Sequence, residues 1–437
     1  MKYKILQSFS ICIFIVATIL TAKTANAAAP LTIKIDGNLR DAAWKKGRAI
    51  SAFQTLNGET PKAQTTGTIL TDADYLYLAF RCDEPEMNKL QQTQKPRDGA
   101  LWNNDCVEIF IAPFENQKTF YHFIVDINGQ IYDALNSNGN ENNRYDLGII
   151  AATQKQANSW TVEMAIPLCD LGLSNLHQPL MNFCRERKPV GELTSWHGLF
   201  AKPDTWQHVK LTLHEQRRVN MHDWDFGGGS PLYGNNIAKS TFVPNSAAPL
   251  KVLLYAEQHN KWILKSSKEI QPAEKVRAAP GFVETIYSRK YLNRKIQISL
   301  PYSLLPRDAP QRIRLVITNG NETVFRATYQ LNLPEKALVA HLQTPYFYSN
   351  EHYGFVQIEN VISAFSMPTA SIRLIVKSPD GKLLQTKKIH SLQPSMTIGF
   401  DISNWKKGDG AIFIEQLNNG TPVAHQRLVI SKRPGPF

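Results

Sequence analysis

The chain has 437 residues and a formal net charge of +12, with 43% hydrophobic and 10% aromatic residues. No stretch reaches the roughly 20 apolar residues a membrane-spanning helix needs, and no CxxC or His/Cys cluster suggests a zinc site. The charge is uneven: residues 28–225 hold 20 Lys and Arg against 24 Asp and Glu, and residues 226–437 hold 26 against 13.

The first 27 residues read as a secretory signal peptide: Lys2 and Lys4, an apolar run over residues 11–20, then Ala25-Asn26-Ala27. The expectation is a secreted or periplasmic protein, for which nucleic acid is a poor partner. Four cysteines follow the leader, Cys82, Cys106, Cys169 and Cys184, and an even number in an exported chain favours disulfides. Pairing cysteines close in sequence gives Cys82–Cys106 and Cys169–Cys184. The parity of the strands counts against the first pair, because Cys82 shares a face with Leu76, Leu78 and Phe80 whereas Cys106 shares the face of Glu108.

Between residues 31 and 213 short alternating runs are punctuated by turn residues: TDADYLYLAFRC, DCVEIFIAP, FYHFIVDINGQIYDA, SWTVEMAIP, MNFCRER and WQHVKLTL. The pattern predicts an all-β protein whose residues 28–225 form one β-sandwich. Residues 226–248, rich in Gly, Asn, Ser and Pro, read as a linker partly ordered by Trp224 and Tyr233. Beyond it, QRIRLVITNGNETVFRATYQL reads as a hairpin around Asn319-Gly320-Asn321, and SIRLIVKSPDGKLLQTKKI and GAIFIEQLNNGTPVAHQRLVI repeat the design. These predict two smaller Ig-like β-sandwich domains, residues 249–334 and 335–437, acting as spacers or accessory binding modules. The basic excess of this half suggests an anionic polymer or envelope surface as a partner.

In LWNNDCVEIFIAP, residues 101–113, an acid interrupts one face of an apolar strand and an indole precedes it. A pyranose presents C–H groups on its faces and hydroxyls on its rim, so a flat aromatic and a hydrogen-bond acceptor suit it. Trp102 and Glu108 supply that pair. Asp105 and Glu108 point to opposite faces of one strand and so do not form a glycosidase carboxylate pair; Asp105 reads as a turn acceptor or calcium ligand. His122 and Asp126 share the strand face opposite Tyr121, Phe123 and Val125 and are further candidates to line a site. Trp196 and Arg185 are candidates for its edge. Trp44 and Trp206 read as core.

Residues 31–213 resemble the family 9 carbohydrate-binding modules on IDGNLRDAAW, TDADYLYLAF, LWNNDCVEIFIAP, FIVDINGQIYDA, WTVEMAIPLCDLG and SWHGLFAKPDTWQHVKL, six segments in the family's order. The resemblance implies a sandwich that grips a sugar, commonly a chain end, between two aromatic side chains, with structural calcium and no other cofactor. It places Trp102 at the first aromatic, Glu108 at the acid and Phe200 at the second aromatic, where the family usually has tryptophan. A basic residue expected in the FIVDI strand is replaced by Ile124. The expectation is therefore a non-catalytic carbohydrate-binding protein, with a glycan-active enzyme and a cell-envelope structural protein as alternatives.

Overall fold

A computed structural model describes residues 31–435 apart from 115–117, 173–177, 212–218, 229, 245–247, 272–273, 277–285 and 289–293. The expected signal peptide lies outside the described residues. Among these, strands dominate and the helical pieces are short 3-10 turns. No helix of the described residues is long and apolar enough to cross a membrane.

The front unit is a sandwich of two antiparallel sheets. The first runs Arg48–Ile50, Thr65–Thr71, Tyr75–Asp83, Ser159–Pro167, Ile150–Lys155. The second runs Gln54–Thr55, Glu192–Ser195, Leu180–Arg187, Cys106–Ala112, Thr119–Asp126, Ile131–Ser137, Asn140–Asn142, and Gln207–His208 also pairs with Leu180–Arg187. Period-two alternation decides the packing. Leu76, Leu78 and Phe80 from one sheet meet Val107, Ile109, Ile111, Tyr121, Phe123 and Val125 from the other in a common core. Cys106, Glu108, Phe110 and Ala112 point the other way, yet the whole strand is buried, because the outer face of the second sheet is itself covered.

Trp206 is part of that cover. It is buried as expected, in a second hydrophobic cluster on the outer face with Phe110, Phe120, Leu180 and Phe200, held by Nε1–H donating to the Leu199 carbonyl at 2.8 Å. Trp44 is buried on the outer face of the other sheet with Tyr77, Ala79 and Ala165. Its Nε1–H donates to Glu163 at 2.8 Å, and the amides of Asp36 and Gly37 donate to the same carboxylate at 2.9 Å each. Gly37 has φ +83, and a Cβ there would stand 2.6 Å from the Thr153 backbone, so the turn admits only glycine.

The second unit faces a sheet of Val219–Asp225, Gly234–Pro244 and Ile296–Leu304 against one of Lys261–Ile270, Leu250–Gln258, Arg312–Asn319 and Glu322–Gln330. The stretch expected as a linker is therefore built into a sheet. Ala238, Ser240 and Phe242 alternate inward along it. The last unit has a sheet of Leu338–Leu342, Tyr353–Asn360 and Ser395–Asp401 and a five-stranded sheet containing the hairpins Ala370–Lys377/Leu383–His390 and Gly408–Asn418/Thr421–Arg433.

Front and second units are joined tightly. The Asp146 amide donates to Thr328 O at 3.0 Å and the Gln330 amide to Arg144 O at 2.7 Å, so the loop continues the rear sheet edge. Arg326 grips Asp170 with two 2.6 Å bonds, and Arg312 reaches Asp146 at 2.8 Å. Part of the basic excess of the rear half is thus spent on acids of the front half.

The expected disulfides are absent: among the described residues all four cysteines are free. Cys82 lies in the core between the sheets, whereas Cys106 lies in a cluster on the outer face. Cys184 joins the outer-face aromatics, and Cys169 sits in the turn Leu168–Asp170 beside the Arg326 junction. A chain beginning at Ala28, denatured and alkylated without reductant, is expected to gain four alkyl groups by intact mass; a gain of none or two would restore one or both bridges.

Candidate functional site

The strand register builds the outer face of the second sheet. Phe110 pairs with His122, Glu108 with Ile124, Ile124 with Tyr132 and Cys184 with Glu108, so these side chains share one surface. Ring contacts then run in sequence across it. Trp102 meets Tyr132 edge-on at 5.7 Å, Tyr132 meets His122 at 5.5 Å, His122 stacks on Phe110 at 4.4 Å, and Phe110 meets Phe200 at 6.1 Å. Trp102 is 42% exposed although its neighbours are buried. The short 3-10 turn Leu101–Asn103 buries Leu101 and leaves the indole outside.

A polar cluster threads this row. His122 Nε2 lies 2.8 Å from Glu108 Oε2, and Nδ1 lies 3.3 Å from Glu141 Oε2. The Tyr132 hydroxyl donates to the other oxygen of Glu141, and Glu186 bonds both Glu108 and Lys188. Burial works against a charged imidazole, but the hydrogen bonds to Glu108 and Glu141 outweigh it and push the His122 pKa up to about 9. His122 is an imidazolium at neutral pH and donates through both nitrogens. Burial first, then the bond to Glu108, pushes the Glu186 carboxyl up to about 7.

Several expected site residues meet here and others do not. Trp102, Glu108, His122 and Phe200 belong to one surface. Glu108, only 4% exposed, lies beneath His122 and fixes it; the more accessible acid of the cluster is Glu141. Asp126 shares the face but is fully buried as a turn acceptor, taking the amides of Asn128 and Gln130 at 2.9 Å each and Asn104 Nδ2 at 2.7 Å. Arg185 points the opposite way and is 1% exposed, bonded to Glu84 and the Asp83 carbonyl. Trp196 packs against Phe183 of the core, with Arg48 over its ring. Asp126 and Arg185 thus have their polar atoms bonded inside the fold, and half-buried Trp196 packs on the core side of the sheet.

Tyr132, Phe110, Glu141 and Glu186 were not singled out in the sequence. Strand parity could have found Phe110 and Glu186, two steps along from Glu108 and Cys184. Glu141 sits in the turn-rich NGNENN run and carries no such signal. The resemblance placed a missing basic residue at Ile124; His122, two residues earlier on the same face, supplies a cation instead.

Among the described residues no group of three His, Cys, Asp or Glu side chains is arranged to hold a metal ion. Asp105 spends its oxygens on the amides of Gln91 and Lys188, at 2.8 and 3.2 Å.

Among solved structures the chain is similar to a Bacteroides uniformis protein provisionally described as carbohydrate-binding, at 16% identity, over 38% of this chain and 87% of that one, with a TM-score of 0.31. It is also similar to red sea bream transglutaminase at 13% identity, over 48% of this chain and 31% of that one, with a TM-score of 0.21. A Bacteroides vulgatus beta-glycosidase matches at 10% identity, over 50% and 25%, with a TM-score of 0.17. No curated protein matches the chain. Residues 35–188 match the family described as carbohydrate family 9 binding domain-like, and the front sandwich is a domain of that type.

Proposed function

We propose that the protein is an exported, non-catalytic carbohydrate-binding protein that stacks a sugar on Trp102. The observation that carries this reading is the exposed indole at the end of a row of buried and half-buried rings, beside the His122 and Glu141 cluster. The indole offers a face for C–H groups, Glu141 and Lys188 offer an acceptor and a donor for hydroxyls, and His122, with both nitrogens bonded, holds Glu141 in place. Phe200 closes the far end of the row.

The charges favour a neutral sugar. Three carboxyl groups, Glu108, Glu141 and Glu186, surround the two cations His122 and Lys188, leaving no excess positive charge to attract a uronate. The same cluster supports binding over hydrolysis. Glu186 and Glu108 share a hydrogen bond, closer than the roughly 5–9.5 Å separation of glycosidase carboxylates. The leader reading of residues 1–27 supports export.

A glycan array with the full mature chain identifies the sugar, and calorimetry of Trp102→Ala tests the site. Loss of one stacking platform is expected to weaken binding by about 1 to 2 kcal/mol, roughly 5- to 30-fold. The fold should be retained because the indole is so exposed. Unchanged affinity for the best array sugar would reject the assignment, and reducing-sugar release from a polysaccharide panel would favour an enzyme.

A further inference from the structure

The last unit presents a second surface of related chemistry. Strand Tyr353–Asn360 is central in its sheet, paired with Leu338–Leu342 on one side and Ser395–Asp401 on the other. Alternation sends Gly354, Val356, Ile358 and Asn360 inward and leaves Tyr353, Phe355, Gln357 and Glu359 outside. Tyr353 is 66% and Phe355 46% exposed. The two rings stand on one face, about 6.8 Å apart along the strand.

Phe355 is opposite Gly399. A Cβ at Gly399 would stand 3.2 Å from Phe355 Cε1, so the ring occupies the space over the glycine while staying 46% exposed. Gln357 Nε2 donates to Ser395 Oγ at 3.0 Å, and Thr397 Oγ1 donates to Gln357 Oε1 at 3.3 Å. The result is two apolar rings beside a strip of neutral amide and hydroxyl groups.

We propose that Tyr353 and Phe355 form a second carbohydrate-binding surface, a platform for a chain of neutral polysaccharide. The proposal rests on the reading of the protein as carbohydrate-binding. Because both edges of the central strand are already paired, a peptide cannot bind here by adding a strand to it. Glu359 and Asp401 on this face are set against His341, opposite Gln357, and Lys387, whose Nζ donates to the Gly399 carbonyl at 3.3 Å, so the face carries no excess positive charge to attract an anionic polymer. Two sites on one chain raise retention on a polymer by effective concentration without new contacts.

The test uses the full mature chain on microcrystalline cellulose, insoluble chitin and insoluble mannan, with the corresponding soluble oligosaccharides measured by calorimetry. Trp102→Ala should keep residual retention on at least one polymer, and Tyr353→Ala should weaken that retention about tenfold. Tyr353→Ala should leave oligosaccharide binding at the front site unchanged. Tyr353 is largely solvated, so the variant folds; Tyr353→Ala/Phe355→Ala should weaken retention further. Wild-type retention by the rear variants, or no retention of the wild type on any of the three polymers, overturns the platform. Loss of a dimer in sedimentation on Tyr353→Ala, with retention unchanged, assigns the face to self-association and overturns it equally. Failure of Trp102→Ala to alter oligosaccharide binding sinks only the front-site reading, and polymer retention by the rear variants still decides the platform.

Discussion

Glu84→Ala is expected to destabilise the front sandwich by about 3–5 kcal/mol, the cost of breaking a buried ion pair from one side. Glu84 is fully buried, and so are its partners Arg185 and Arg187. Arg187 donates to both carboxylate oxygens at 2.7 and 2.8 Å, Arg185 donates at 3.2 Å, and the Glu86 amide adds a fourth bond at 2.8 Å. Burial disfavours the carboxylate, but these bonds outweigh it and hold its pKa below the usual range. Removing the acid leaves two guanidinium groups between the sheets without their shared counter-charge. Glu84→Gln should cost less, because the amide oxygen still accepts a bond. Urea denaturation followed by tryptophan fluorescence measures both, and a loss below about 1 kcal/mol for Glu84→Ala would show that water or neighbouring acids replace the carboxylate.

This network also shows where sequence reading reaches its limit. Arg185 and Glu108 stand on adjacent strands, and period-two parity already sends them to opposite faces. What parity does not reveal is which face holds the site. MNFCRER places Phe183 and Arg185 together, and that arginine is tolerated in the core only because Glu84, a hundred residues earlier, meets it there. The six segments, the hairpin around Gly320 and the outward Glu108 were legible because alternation and turn chemistry are local. The row from Trp102 to Phe200 was not, since it depends on the register of three strands and on a loop folding back over Phe110. The strand Gly234–Pro244 was hidden for a different reason. Apart from Phe242, its inward positions are filled by residues such as Asn236, Ala238 and Ser240, small or polar residues that mimic linker composition.

The same polar cluster predicts an alkaline loss of stability centred on His122. Its folded pKa of about 9 lies above the ordinary value of 6.5, so the folded state binds the proton more tightly than the unfolded chain. The resulting stabilisation is fully present below about pH 6.5 and is lost as pH rises through about 9, with a size on the order of 3 kcal/mol. Glu186, raised to about 7 by burial and by Glu108, has the same sign: it favours the folded state at low pH and loses that contribution as pH rises through 7. Both slopes therefore point downward but in different windows, Glu186 between about pH 4.5 and 7 and His122 between about pH 6.5 and 9. Thermal unfolding of the wild type and of His122→Gln across pH 5 to 10 separates them. Glutamine keeps a donor near Glu108 but cannot titrate, so the variant should retain the Glu186 slope near neutrality and lose the steeper fall toward pH 9. Parallel curves for the two proteins through pH 9 would mean that His122 is neutral in the folded state, and the cation opposite Glu141 would have to be struck from the sugar site.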